Sequence, residues 1–183
     1  MKIKCSMAIA LLASLLFASG AHALSYQGTL TTVAPVTGTV GGFGWVDDEG
    51  SEVDFWQFTA VAGNVLNISA TRLVEALDPA FTLYFGTSTA SDSAFVHNAS
   101  FGGLTFLAIA NDEIANPGPF GDPLLSLFRV PFTGSYTLAV GGDGSENFGP
   151  YGYSLRLQAV PVPATLLLAL TGLLCLGYRR RSR

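Results

Sequence analysis

The sequence predicts an all-β protein: a single antiparallel β-sandwich or jelly-roll-like ectodomain, flanked by an N-terminal signal peptide and a C-terminal membrane helix. Between the two ends, apolar and polar residues alternate with period two in short stretches that Gly, Pro, Asn and Asp separate. This alternation is typical of antiparallel strands with one buried face. No apolar stripe with helical spacing extends beyond about two turns. We expect about seven to nine strands and boundaries at 1–23, 24–159 and 160–183.

Two stretches near the C-terminal end of the ectodomain show the alternation most clearly. One places Tyr136, Leu138 and Val140 on a single face, and the other does the same with Tyr151, Tyr153, Leu155 and Leu157. Trp56 and Phe58 also alternate inward and are expected in the core. Further strands are predicted at 26–33, 53–60, 64–71, 80–86, 104–110 and 124–130.

The first 23 residues have the organisation of a secretory signal peptide. Lys2 and Lys4 precede an apolar run at 7–17, and Ala21 and Ala23 form an A-x-A cleavage site. This order predicts export through the Sec translocon and cleavage before Leu24.

The last 24 residues combine a proline pair, an apolar run and an arginine cluster. Pro161 and Pro163 favour extended backbone at the residues before them. The run at 164–178 would span roughly 22 Å as a helix, which is short for a hydrocarbon core of ~30 Å. A terminal arginine cluster is retained in the cytoplasm, so the ectodomain is expected outside it. The predicted sorting motif is Val160, Pro161, Val162, Pro163 and Ala164, and the predicted cytoplasmic stop is Arg179, Arg180, Arg181 and Arg183.

This tail closely resembles the PEP-CTERM sorting signal of Gram-negative bacteria. The order and spacing match throughout 160–183, although Val162 stands where the family name has a glutamate. The resemblance implies transient contact with an exosortase, a membrane-embedded transpeptidase, and processing near Pro161. The expected destination is the inner membrane transiently, then the cell surface or extracellular matrix. The alternative is an ordinary single-pass membrane anchor.

The ectodomain resembles the bacterial pre-peptidase C-terminal family of small β-sandwiches, from about Gly38 to Gln158. The stretches that carry this resemblance are DFWQFTAVAG at 54–63, VLNI at 65–68, DPAFTLYF at 78–85, TGSYTLAV at 133–140 and YGYSL at 151–155. The resemblance implies a module found beside secreted proteases and in surface proteins.

The charge of the ectodomain excludes one class of partner. All thirteen acidic residues lie within 24–159, where the bases are Arg72, Arg129 and Arg156, so the net charge is −10. A field of that sign repels nucleic acid and suits a soluble extracellular domain or one that collects divalent cations. Both cysteines, Cys5 and Cys175, lie outside this window, so no disulfide is expected within it.

No catalytic pattern is present in the ectodomain. His97 is its single histidine, it has no cysteine, and it lacks the metalloprotease, serine-hydrolase and phosphate-loop motifs. His97 lies in a polar loop and is expected to be solvated. The sequence therefore predicts a protein that is not an enzyme.

Several acidic and glycine-rich turns contain residue types that bind calcium. Asp54 belongs to an acidic segment at 47–54, Asp112 follows Asn111, and Asp143 lies in a run of glycines. Calcium prefers carboxylate, amide and backbone oxygens, which makes Asp112, Asp143 and Asp54 the candidate ligands. The alternative is solvated turn chemistry, because Asp, Asn and Gly dominate β-turns for backbone reasons. No other cofactor is expected.

These observations predict an exported, non-enzymatic surface or extracellular-matrix protein, sorted and processed by an exosortase. The alternative is a calcium-dependent carbohydrate-binding or adhesion module on a simple membrane anchor, with extracellular polysaccharide as its partner. A secreted carbohydrate-active or proteolytic accessory would need an acid pair or a nucleophile beside the aromatic loops, and the sequence shows neither.

Overall fold

Eleven strands occupy residues 23–161, the part of the chain that this computed structural model describes. The strands are β1 Tyr26–Thr29, β2 Val36–Val40, β3 Asp54–Ala60, β4 Val65–Arg72, β5 Pro79–Phe85, β6 Thr105–Asn111, β7 Ile114–Ala115, β8 Gly121–Asp122, β9 Leu124–Arg129, β10 Gly134–Gly142 and β11 Tyr151–Val160. Short 3₁₀ turns at Gly50–Glu52 and Asp92–Ala94 are the helical elements of this part of the chain.

The strands form two facing sheets. The first sheet has the order β1-β3-β10-β5-β6, the second has the order β2-β11-β4-β9, and β7 and β8 form a small separate hairpin. The predicted all-β sandwich is therefore confirmed. One pair departs from the antiparallel prediction, because β1 runs parallel to β3. Parallel neighbours require a crossover connection, and here the crossover passes through β2 in the opposite sheet.

The main hydrophobic core lies between the two sheets. Tyr136, Leu138 and Val140 of β10 are fully buried there, as predicted. Tyr153, Leu155 and Leu157 contribute from β11 in the second sheet. Trp56 and Phe58 also belong to this core, as their alternation indicates.

A second hydrophobic cluster covers the outer face of the first sheet. The loops at 41–53 and 86–104 supply Trp45, Phe95 and Phe101, which pack over Tyr84 and Ala139. As a result β10 is buried on both faces, and the prediction of one buried face is wrong for this strand. The residues of β10 that alternate with the core residues, Thr137 and Ala139, are small enough to be fully buried on this outer face.

The predicted strands match the observed ones to within a few residues. The first ends at Thr29 instead of residue 33, and β2 and the β7–β8 hairpin were not predicted. Within residues 23–161 there is no helix with the length and hydropathy needed to cross a membrane. The predicted membrane helix at 164–178 lies outside the described residues, as does the signal segment before Ala23.

Candidate functional site

A polar cleft opens where the edge strands of the two sheets, β1 and β2, diverge. It consists of two adjoining cavities of about 480 and 600 Å³ that share Gln27, Thr39, Ser51 and Asp54. We call it the Asp54 cleft. Its other lining residues include Ser25, Glu52, Asp92, Phe148 and Pro150 on one side, and Thr37, Gly38 and Trp56 on the other.

Asp54 lies at the base of this cleft and is held by the core. The Tyr153 hydroxyl donates a 2.7 Å hydrogen bond to Asp54 Oδ2 and accepts one of 2.7 Å from Trp56 Nε1. Burial raises the pKa of Asp54, and hydrogen bonds from Tyr153, Thr39 and Gln27 oppose the rise. A carboxylate is thus fixed in position at the base of the cleft, where Asp54 is 6% exposed.

The wall of the cleft requires a glycine at position 38. Gly38 pairs with Tyr153 across β2 and β11, and a Cβ there would overlap both the Asp54 carboxylate and the Tyr153 hydroxyl. The close approach of β2 therefore depends on the missing side chain.

The rim of the cleft carries an exposed aromatic ring. The side chain of Phe148 is 77% exposed, and its ring lies 5.3 Å from that of Phe43, centroid to centroid. Glu52 and Asp92 add two further carboxyl groups to the lining of the same cavity. The cleft thus combines hydrogen-bond acceptors, an amide, hydroxyls and an apolar platform.

A second group of polar residues gathers where three strands of the first sheet end. Asp78 immediately precedes β5, Asn111 ends β6, and Asp143 follows β10. The register pairs Ala80 with Asn111 and Pro79 with Gly142, which brings these ends together. We call Asp78, Asn111, Asp112 and Asp143 the strand-end cluster.

Hydrogen bonds fix the geometry of the strand-end cluster. Asn111 Nδ2 donates to Asp143 Oδ2 at 2.5 Å. The backbone of Asp78 accepts from the Asp143 N–H at 2.8 Å and donates to Ser145 Oγ at 2.8 Å. Burial raises the pKa of Asp78 to about 7. The charges of Asp112 and Asp143 add to this rise, and the charge of Arg72 opposes it. Burial likewise raises the pKa of Asp143.

The structure brings two of the three candidate calcium ligands together. Asp112 and Asp143 both lie near Asp78, because their charges raise its pKa, and Asp78 is a residue that sequence reasoning missed. Asp54 lies on the inner face of the same sheet, in register with the core residue Val140, and contacts neither. Within residues 23–161, no three His, Cys, Asp or Glu side chains form a ready metal centre.

His97 differs from the solvated residue that the sequence predicts. Its side chain is 19% exposed and its Nδ1 lies 2.7 Å from Asp48 Oδ1. Its ring packs against Trp45 at a tilt of 43°, with 4.4 Å between the ring centroids. The polar loop folds back over the outer face of the first sheet, where Thr82 donates a hydrogen bond to the His97 carbonyl. This packing leaves the His97 side chain only partly exposed.

The structure describes part of the predicted processing sites. Ala23 bridges to Ser91, and Leu24, the expected first residue of the mature chain, is buried in the outer cluster. At the other end, Val160 still pairs with Val65, so the sheet extends to the residue before Pro161. Ala21, Val162, Pro163, Ala164 and the terminal arginines lie outside the described residues.

Comparison with known proteins shows the fold and no family. No family model matches the chain, and no curated protein matches it in sequence. A solved structure of CorA, described as a surface-associated copper-binding protein important in copper acquisition by Methylomicrobium album BG8, superposes with a TM-score of 0.55 and 14% identity. The match covers 74% of this chain and 99% of CorA.

Two further solved structures are similar. The secreted protein MopE of Methylococcus capsulatus, in which an oxidised tryptophan is described as facilitating copper binding, gives a TM-score of 0.53 and 10% identity over 73% of this chain and 87% of that one. The pre-peptidase C-terminal domain of a Bacillus anthracis collagenase gives a TM-score of 0.43 and 16% identity over 73% and 97%. The resemblance to that domain family remains a prediction from the sequence.

Proposed function

We propose that this chain is an exported, non-enzymatic surface or extracellular-matrix protein whose β-sandwich binds neutral extracellular polysaccharide in the Asp54 cleft. The observation that carries the proposal is the exposed ring of Phe148 at the rim of a cleft with a fixed carboxylate at its base. The cleft volume is in the range of ~300–1,000 Å³ that is typical of ligand sites.

The chemistry of the cleft suits sugar rings. A carboxylate accepts hydrogen bonds at both oxygens, and an amide both donates and accepts, so Asp54, Glu52 and Gln27 can engage adjacent hydroxyls. The apolar C–H face of a sugar can pack on Phe148, since an exposed aromatic ring offers a large apolar surface.

Charge selects the class of polysaccharide. Glu52, Asp54 and Asp92 all line the cleft, and the ectodomain carries a net charge of −10. Such a surface repels acidic polymers at ordinary ionic strength. A neutral polymer is therefore the ligand that this cleft favours.

The two ends of the chain support export and sorting. The sequence provides a signal peptide before Leu24 and the PEP-CTERM-like tail after Ala159. The last paired residue of β11 is Val160, so an exosortase acting near Pro161 would cut immediately after the end of the sheet. The surface-associated and secreted descriptions of CorA and MopE agree with this location.

Affinity electrophoresis tests the polysaccharide proposal. The full chain, held in a zwitterionic detergent without a sugar headgroup, is run through gels that contain neutral glucans or mannans, or acidic alginate. We expect retardation by a neutral polymer and none by alginate. Phe148→Ala should weaken binding by about tenfold or more, which is ~1.4 kcal/mol.

Phe132→Ala is the matched control, because Phe132 is also exposed but lies outside the cleft and packs on Phe85. Binding that is equal in the Phe148 and Phe132 variants would place the ligand elsewhere. Retardation by alginate as strong as by neutral polymers would refute the charge argument.

His97 favours a second candidate function, copper binding. Its Nδ1 is held by Asp48 at 2.7 Å, which leaves Nε2 to coordinate a metal. A carboxylate that orients the far nitrogen of a histidine is common at metal sites. Imidazole suits Cu(II), and copper is what the descriptions of CorA and MopE name as bound by those proteins.

Copper titration monitored by electron paramagnetic resonance tests this candidate. His97→Gln should abolish the nitrogen-coordinated Cu(II) signal, and Asp48→Asn should weaken binding by roughly 10–100-fold. Asp47→Asn, a neighbouring exposed carboxylate with the same charge change, should have no effect. An unchanged signal in His97→Gln would exclude the site.

A further inference from the structure

The strand-end cluster contains two buried oxygen atoms that have no hydrogen-bond partner. They are Asp78 Oδ1 and Asn111 Oδ1. Asp78 as a whole is 6% exposed, so water competes poorly for its side chain. A buried carboxylate oxygen without a partner is costly, because the desolvation of the group is not repaid.

These oxygens belong to residues that the fold holds together. Asp143 is tied to Asn111 through its side chain and to Asp78 through its backbone. The three residues stand at the ends of adjacent strands, which are rigid supports for a ligand set. Folding therefore brings together three polar residues whose mutual hydrogen bonds leave Asp78 Oδ1 and Asn111 Oδ1 without a donor.

The local charge matches a divalent cation. Asp112 and Asp143 lie near the Asp78 carboxyl, and Arg72 is the nearby base, with its Nε 3.9 Å from Asp122 Oδ1. Arg72 Nη1 is itself buried without a partner, whereas Nη2 donates to the Pro117 carbonyl at 2.8 Å. The carboxyl groups around Arg72 therefore outnumber this one base, and a bound cation would favour the charged form of Asp78.

We infer that Asp78, Asn111 and Asp143 bind one calcium ion. Two carboxylates and one amide supply three side-chain oxygens, which is compatible with the absence of three clustered acidic or histidine ligands in residues 23–161. Calcium takes six to eight oxygen ligands, and backbone carbonyls and water can complete the set. Magnesium demands a stricter octahedron and should bind less well.

Isothermal titration of the EDTA-treated full chain with calcium chloride, at constant ionic strength, tests this inference. We expect one site with a Kd of roughly 0.1–1 mM, the range of extracellular calcium modules. Asp78→Asn should weaken binding at least tenfold, and Asn111→Asp should tighten it severalfold by adding a carboxylate. Magnesium chloride should give weaker binding than calcium.

Asp47→Asn is the control, since it removes the same charge from an exposed turn. Wild-type protein without saturable calcium binding would overturn the inference and favour a buried water between Arg72 and Asp78. Equal affinities in Asp78→Asn and Asp47→Asn would also overturn it. If Asp78→Asn does not fold, a calcium affinity of Asn111→Asp equal to that of the wild type would overturn the inference. None of these outcomes depends on the polysaccharide site.

Discussion

Tyr153 and Asp54 are 99 residues apart in the chain, and a 2.7 Å hydrogen bond between them joins the two sheets. Tyr153 belongs to β11 of the second sheet, and Asp54 begins β3 of the first. The bond orients the carboxylate at the base of the cleft and satisfies a buried hydroxyl. The main core and the candidate binding site therefore share one polar contact.

Replacing Gly38 with alanine should damage this contact. The new Cβ would overlap the Asp54 carboxylate and the Tyr153 hydroxyl, so one of them must move. We expect a loss of roughly 1–3 kcal/mol in the free energy of unfolding, the usual cost of overpacking. Urea denaturation measures it.

Gly152→Ala provides the control for this variant. Gly152 pairs with Thr39 on the same two strands, and a Cβ added at position 152 would meet its nearest neighbouring atom at 3.5 Å, an ordinary contact. A loss in Gly38→Ala no larger than in Gly152→Ala would show that the Asp54–Tyr153 pair is not tightly enclosed.

The raised pKa of Asp54 predicts a pH dependence of stability. The folded state holds the proton of the Asp54 carboxyl more tightly than the unfolded chain does. Protonated Asp54 therefore stabilises the fold fully below about pH 3.8, and this contribution to the free energy of unfolding is lost as the pH rises through the raised pKa. In Asp54→Asn the amide does not titrate, so the variant does not lose stability in this way. The variant should therefore gain stability relative to the wild type between about pH 3.8 and neutrality.

Urea titrations of both proteins from acid to neutral pH, with EDTA present, give this difference directly. Taking the difference cancels the contributions of Asp78 and Asp143, whose pKa values are also raised. A difference in stability that stays constant with pH would contradict the assignment of a raised pKa to Asp54.

Tail processing is the third prediction. In a host that encodes an exosortase, the mature protein should begin at Leu24 and lack the arginines at 179–183. Intact-mass analysis of the surface fraction checks both ends. Deleting the arginine cluster should cause slippage through the membrane or degradation, because nothing then fixes the end in the cytoplasm. A wild-type protein that keeps Arg183 and stays in the inner membrane supports the simple anchor.

The fold was largely predictable because alternation reports burial directly. Tyr153 and Leu138 lie on predicted inward faces, and both are fully buried. The second buried face of β10 could not be predicted, since small residues such as Ala139 carry no strong signal of the loop that covers them. β2 was missed because Gly38 and the threonines around it weaken the apolar pattern.

The candidate sites were predictable only in part, because they depend on strand register. Asp112 and Asp143 stood out from their turns, but Asp78 looked like a residue before a strand-initiating proline. It joins them only because Pro79 pairs with Gly142. Phe148 had no sequence signal beyond its position in a glycine-rich loop, and its exposure is a property of the folded rim.

The central claim is that the Asp54 cleft binds neutral polysaccharide. Backbone amide chemical shifts of the ¹⁵N-labelled chain, recorded during titration with a neutral oligosaccharide that retards it in gels, test this directly. We expect saturable shifts at Thr39, Ser51, Asp92 and Phe148, and none at the β9 edge of the second sheet. Shifts centred on β9, or no shifts at millimolar oligosaccharide, would contradict the account.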